Sequence, residues 1–436
     1  MVMSSYFPTA QARADLAYRG SYLAALPDID LSSNPILRTA VDTLCFAHVG
    51  SKNSDDRLIR QSQASYGRVL SLLIQATNRS DGNAPHMEPK AIVTSIMLLC
   101  LYDDAIPVPF QGRNGWAAHY WGSLELLRAH GPSFLNMKQP FDRLIFFNLR
   151  MPCFFLGLAR RKAILLGEDE WLALSASISD SSSRLTSFYA AGMKIPALLE
   201  RTDRLIVFRH KSNPRQQRDL SSLCNSILHI RAALVSWFQA RCATPESAAK
   251  EIPSTFSVTD SDRFDMETEE HCFMSSSGTF PHLFHFAIAG CAPQNHTLLT
   301  LTCLILDCTL LRLLHFLPST AAHLPQSEDH VLLSAHHLAS DLCRSVHYYA
   351  STDSLAYADF TDFLLEMAQN FFEEFGVRAG RELGWVQAVR CATGLRRKRI
   401  VSSSVQRKTL CRMGDCAPGV ARAMRWRARR VGEEFG

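Results

Sequence analysis

Apolar residues recur along this chain every three to four positions, and the strict alternation of a half-exposed strand is nearly absent. Leu37, Ala40, Val41, Leu44 and His48 follow the 3.6-residue period, with Asn34-Pro35 as a start signal and Gly50 as a stop. A second amphipathic segment opens at Ser54-Asp55-Asp56, whose side chains suit an N-terminal cap, and continues through Leu58, Ile59, Tyr66, Val69, Leu70 and Leu73. A third starts near Pro89, and a fourth runs over 114–129, closed by His130-Gly131-Pro132. Glycine tolerates the left-handed backbone past a last helical turn, and proline then prevents continuation. The same periodicity predicts helices at about 140–166, 195–210, 217–241, 295–317, 328–350, 355–375 and 381–392.

These elements imply an all-α fold, a multi-helix array of packed antiparallel helices with no regular repeat. Two stretches read as loops: 175–183, a Ser/Asp run, and 243–280, where Pro, Ser, Thr and acids displace bulky apolar residues. The organisation expected is an N-terminal helical half over 1–175, a C-terminal helical half over 185–392 and a basic tail over 393–436.

Composition changes the picture in three places. With 436 residues and 47% hydrophobic content, the chain can bury a large core. Its most apolar segment, 297–317, is interrupted by Asp307 and Arg312, so it reads as a buried core helix and no membrane contact is expected. No apolar core of a signal peptide occurs in the first twenty residues, which makes the sequons at Asn78 and Asn295 incidental. The thirteen cysteines include no C-x-x-C pair, and Cys100, Cys153, Cys303 and Cys343 fall in apolar helical positions, so they read as buried thiols.

Charge is unevenly placed. Residues 390–436 hold thirteen Lys/Arg against three Asp/Glu, a charge of +10, whereas residues 1–389 sum to −5. Arg396-Arg397-Lys398-Arg399 has the form of a nuclear import signal, and Arg422, Arg425, Arg427, Arg429 and Arg430 form a second basic run able to meet phosphates without reading sequence. The alternative is a solvated tail with no role.

Signatures of catalysis are missing: no G-x-G-x-x-G, G-x-x-x-x-G-K-[ST], G-x-S-x-G or H-E-x-x-H occurs. His282-x-x-His285, which could face one way on a helix, and His336-His337 are the closest histidine pairs, and neither has a completing ligand at metal spacing. Glu168-Asp169-Glu170 reads as an acidic helix start before Trp171. No catalytic residue, metal or cofactor is therefore expected.

In the fourth helix, Trp116, Tyr120, Ser123 and Leu127 share one face, with His119 and Gly122 beside it. Packing explains that pattern: Gly122 is expected to admit a neighbouring helix, and His119 to hydrogen-bond across the contact. The same residues also resemble a known pattern. Leu98-Leu99-Cys100-Leu101-Tyr102-Asp103, then Gly115-Trp116-x-x-His119-x-x-Gly122, then Leu126-Leu127-x-x-His130-Gly131-Pro132 is similar to the regulatory domain of fungal zinc-cluster transcription factors. Phe146 to Arg150, Ile195 to Leu199 and Asp341 to Val346 sit where similar patterns occur in such proteins, and the likeness covers roughly residues 1–390 in layout.

That resemblance implies a nuclear regulator with an all-helical body that binds other transcription factors or itself as a dimer, and that could respond to a small-molecule effector. The motif residues it singles out are Tyr102, Trp116, His119, Gly122, Leu127, Gly131 and Pro132. The chain departs from the family in showing none of the six cysteines that hold two zinc ions in the family's DNA reader, so DNA contact is expected only through the basic tail and without sequence preference. The sequence admits two other readings: an all-helical enzyme with a site that converges only on folding, and a scaffold that regulates no gene.

Overall fold

The computed structural model describes residues 31, 33–78, 89–105, 115–176, 186–207, 214–242, 250–253, 280, 282–285, 292–350, 355–376 and 379–391. Among these the chain forms thirteen helices and one two-stranded ribbon, an all-α fold in keeping with the periodicity. The helices are α1 (Pro35–Asn53), α2 (Asp56–Asn78), α3 (Pro89–Ala105), α4 (Gly115–His130), α5 (Pro140–Arg160), α6 (Asp169–Ala176), α7 (Thr186–Gly192), α8 (Ile195–Val207), α9 (Pro214–Cys242), α10 (Ala292–Phe316), α11 (Glu328–Ala350), α12 (Leu355–Phe375) and α13 over 380–391. The described residues cluster into two compact units, one within Met1–Leu156 and Glu168–Ser182, the other within Gly157–Gly167 and Ser183–Ile400.

In the first unit, Asn34 caps α1 by accepting a hydrogen bond from the Leu37 amide at 3.1 Å, and Pro35 occupies the first turn, where a missing N–H costs nothing. The helix does not stop at Gly50. It continues to Asn53 and ends at Ser54, whose φ of +53° turns its N–H back to the carbonyls of Gly50 and Ser51. Gly50 instead lies against α2, where a Cβ would meet Ile59 and Leu58 at 3.0 Å. Asp55 then caps α2 by accepting from the amides of Arg57 and Leu58, as the acidic start signal implied. Helix α3 packs against α1, α2 and α4, and every residue from Ala91 to Cys100 is buried.

The second unit is built around α10. It carries a 22-residue stretch, Asn295–Phe316, long and apolar enough to cross a membrane, but 94% of its most apolar window is buried against other helices, as expected of a core helix. Helices α8, α9, α11 and α12 all pack on it. Asn295, one of the two sequons, is buried within it.

The structure departs from the expected elements in three further places. The helix expected over 140–166 ends at Arg160, because Arg161 adopts φ +51° and a 3-10 turn follows at Leu165–Gly167. Ser175 belongs to α6 and is buried, so the Ser/Asp run is helical at its start. Trp171, buried in the same short helix, anchors it behind the acidic first turn of Asp169 and Glu170. Within the loop expected over 243–280, Lys250–Pro253 forms an antiparallel pair with His282–His285, with Ile252 opposite Leu283.

Candidate functional site

The motif residues of the first unit meet at the junction of α2, α3 and α4. Tyr102, on the last described buried turn of α3, is fully buried, and its ring stacks on Tyr66 of α2 with centroids 4.8 Å apart. Its hydroxyl lies 3.5 Å from Ser62 Oγ, and Tyr66 OH lies 2.8 Å from His119 Nε2 on α4. Stacked rings contribute dispersion and quadrupole attraction, while the hydroxyls give three helices fixed polar partners in a low-dielectric setting. His119 does hydrogen-bond across a helix contact, and its partner is a tyrosine 53 positions away.

Around this junction α4 buries Ala117, Ser123, Leu124 and Leu127, the 3.6-residue face that includes the expected Ser123 and Leu127. Gly122 does not admit a neighbour: it is exposed, and a Cβ there would meet nothing within 4 Å. It sits about 100° round the helix from Ser123, so the buried stripe passes it by. Gly131 ends α4 with φ +71° and ψ 177°, a conformation essentially reserved for glycine, and Pro132 opens the following 3-10 turn. Trp116 lies in the first turn of α4, but its side chain falls outside the described residues, as do Asp103 and the whole basic run from Arg396 to Arg430.

Arg150, in the Phe146 to Arg150 segment, has a guanidinium 4.4 Å from the Phe147 ring centroid and 5.5 Å from that of Phe146, and it donates to Ser175 Oγ at 3.4 Å. A cation that is only 3% exposed needs such partners, and the aromatic faces supply a desolvated version of the attraction. Nearby, Asp142 accepts hydrogen bonds from Lys90 Nζ at 2.8 Å and from the Asn136 amide at 2.7 Å.

The second unit holds a polar constellation that periodicity did not single out. Asp307, 2% exposed on α10, receives both arms of Arg231 from α9, at 2.7 and 3.1 Å, and the Ser334 hydroxyl from α11 at 2.7 Å. Arg231 also donates to Ser334 Oγ at 2.9 Å, closing the triangle. One turn on, Arg312 donates to Glu374 of α12 at 2.8 Å. Arg390 of α13 grips Asp362, Glu366 and Gln369 along one face of α12. The available signal was a charge inside an apolar helix, which requires a partner but does not say from where.

Among the described residues, no group of three or more His, Cys, Asp or Glu side chains converges as metal ligands would. His282 and His285 lie on extended backbone rather than a helix, so the spacing that would have aligned them is lost. His336 rests against the rings of Phe371 and Phe372, with Glu382 3.7 Å away. Burial pushes the thiols up, Cys303 to about 12 and Cys224 to about 11, with Cys308 also well above its ordinary value. Thiols held protonated are poor nucleophiles. What these arrangements do chemically is lock helices: the Tyr66, Asp142, Asp307, Arg312 and Arg390 side chains are each held by partners from another segment.

A family model described as the fungal specific transcription factor domain matches residues 30–345, a span that includes both the tyrosine–histidine junction and the Asp307 constellation. No curated protein and no solved structure matches the chain.

Proposed function

The chain belongs to the fungal-specific transcription factor domain family, and from that premise we propose that it acts in the nucleus as a regulator whose helical body holds a partner factor or a second copy of itself. Membership supports a fungal-type transcription regulator, and the family is not an enzymatic one. The finer reading adds that the helical body is the working part, that a small molecule between helices tunes it, and that Arg396, Arg397, Lys398 and Arg399 direct import. The observation that supports this is the family match across residues 30–345; within each unit taken by itself, polar contacts join neighbouring helices.

Two measurements on the full-length chain test it. Fused to a heterologous DNA-binding domain, it should change expression of a reporter bearing that domain's operator at least several-fold, and a fluorescently tagged chain should concentrate in the nucleus. Replacing the four basic residues of 396–399 with alanine should return the tag to the cytosol. An unaltered reporter together with a cytosolic tag defeats the proposal.

A further inference from the structure

Helix α2 presents one face to its own unit and another to solvent. Ser62, Tyr66, Val69 and Leu73 are buried, while Arg57, Arg60, Gln61, Ala64, Arg68, Ser71 and Gln75 are exposed. At 100° per residue, Arg57, Gln61, Ala64, Arg68, Ser71 and Gln75 fall within about 40° of one line, with Arg60 at its edge. From Arg57 to Gln75 that line is about 27 Å long.

The polar chemistry of this stripe is one-sided. Every charged member is an arginine, and among the described residues no ion pair engages the Arg57, Arg60 or Arg68 guanidinium. By contrast Arg161, Arg231, Arg312 and Arg390 are paired, to Asp203, Asp307, Glu374 and Asp362. The acid of α2 is Asp56, at its first position and about 100° round from Arg57. Asp55 is already committed to capping the helix.

We propose that the arginine stripe of α2 is a docking surface for the phosphate backbone of double-stranded DNA. Two features favour phosphate over an acidic peptide. The stripe consists of donors, guanidinium, amide and hydroxyl, with no apolar side chain larger than Ala64, and the one large apolar side chain exposed on α2 among the described residues, Ile74, lies about 100° round from its midline, whereas protein partners take most of their affinity from buried aromatic or aliphatic anchors. It is also straight and long, and a duplex carries about one charge per 1.7 Å of axis, so a rigid 27 Å line of donors meets phosphates along its whole length without needing a particular sequence. Guanidinium groups suit the task because their planar fork matches phosphate oxygens in pairs. The surface thus adds a backbone contact on the folded body to the one expected of the basic tail. It deepens the regulatory reading and takes from it only the choice of DNA as the polyanion.

The test uses the purified full-length chain and a fluorescently labelled duplex of random sequence, with binding followed by anisotropy over a range of NaCl concentrations. The Arg57→Gln/Arg60→Gln/Arg68→Gln variant should bind at least tenfold more weakly at about 0.1 M salt, and its log Kd against log [NaCl] should be shallower by about 2 to 3, since each phosphate contact contributes about 0.9 to the slope. The tail is present in both proteins, so the difference belongs to α2. The Arg57→Lys/Arg60→Lys/Arg68→Lys variant keeps the charges and should retain most of the slope, which separates lost contacts from a misfolded helix. An unchanged slope in the glutamine variant overturns the proposal, as does a wild-type chain that ignores DNA but loses polyglutamate binding on the same substitutions. Arginine-dependent DNA binding combined with a silent reporter would instead count against the regulatory reading and leave this one standing.

Discussion

Helices α3 and α10 occupy matching places, each buried at the centre of its own unit, and they handle polar groups differently. From Ala91 to Tyr102, α3 carries no charge; Thr94 and Ser95 donate to carbonyls one turn back, and Tyr102 meets rings and hydroxyls of α2. Thr302 and Thr309 on α10 do the same, but Asp307 and Arg312 cannot be satisfied by their own helix and draw partners from α9, α11 and α12. A buried hydroxyl is a local matter, because the helix that bears it offers a carbonyl within reach. A buried charge is a demand on the rest of the fold, because desolvation costs several kcal/mol unless another element answers it.

The largest effect should come from removing the answer rather than the demand. Arg231→Met leaves Asp307 buried without its bidentate partner and should destabilise the protein by about 3–5 kcal/mol, read as a lower urea midpoint. The double substitution Arg231→Met/Asp307→Leu should recover most of the loss, because a pair replaced by apolar groups of similar volume is close to neutral. Equal losses in the single and double variants would break the comparison.

Acid should weaken the α10 unit through His296. Burial, with a smaller contribution from the Arg344 charge, lowers its pKa from 6.5 to about 4. The unfolded chain takes up a proton near pH 6.5 while the folded protein does not, so this group's stability is whole above pH 6.5 and is lost as pH falls towards 4. Phe238 already packs edge-on against the imidazole, so His296→Phe keeps a ring there and should flatten the decline, sparing on the order of 2–3 kcal/mol at pH 4. The check is the difference between variant and wild-type denaturation midpoints from pH 7 to 4.5; a parallel decline in both sinks it.

The smallest effect belongs to the tyrosine junction. Tyr66→Phe removes the hydroxyl that meets His119 but keeps the ring stacked on Tyr102, and His119 is partly exposed and can turn to water. The expected cost is about 1 kcal/mol. A loss as large as that of Arg231→Met would mean that hydroxyl networks and ion pairs carry equal weight here.

The particular elements show why the site was only half legible. Tyr102 and His119 stood out because their spacing resembled a family pattern, yet the tyrosine that joins them, Tyr66, was visible only as one more apolar member of α2. Gly122 drew attention by the same resemblance and lies on the solvent side, where the pattern had suggested a contact. Arg231 and Ser334 carried no local sign of importance, since polar residues on amphipathic helices are ordinary until something buried faces them.

What the sequence settled by itself is therefore what one helix can settle: the period that makes helices of most segments, the Asn34 and Asp55 caps, the Gly131-Pro132 stop and the inward faces of α1 and α2. Such features depend on neighbours three or four residues away, so they are written in consecutive letters. The tertiary structure alone decided the partners: Tyr66 for His119, Arg231 and Ser334 for Asp307, Glu374 for Arg312, and strand rather than helix at His282–His285. Those choices span from 27 to 103 positions of chain in the polar contacts of α2, α4, α9, α10 and α11, and only the packing of whole helices brings such positions together.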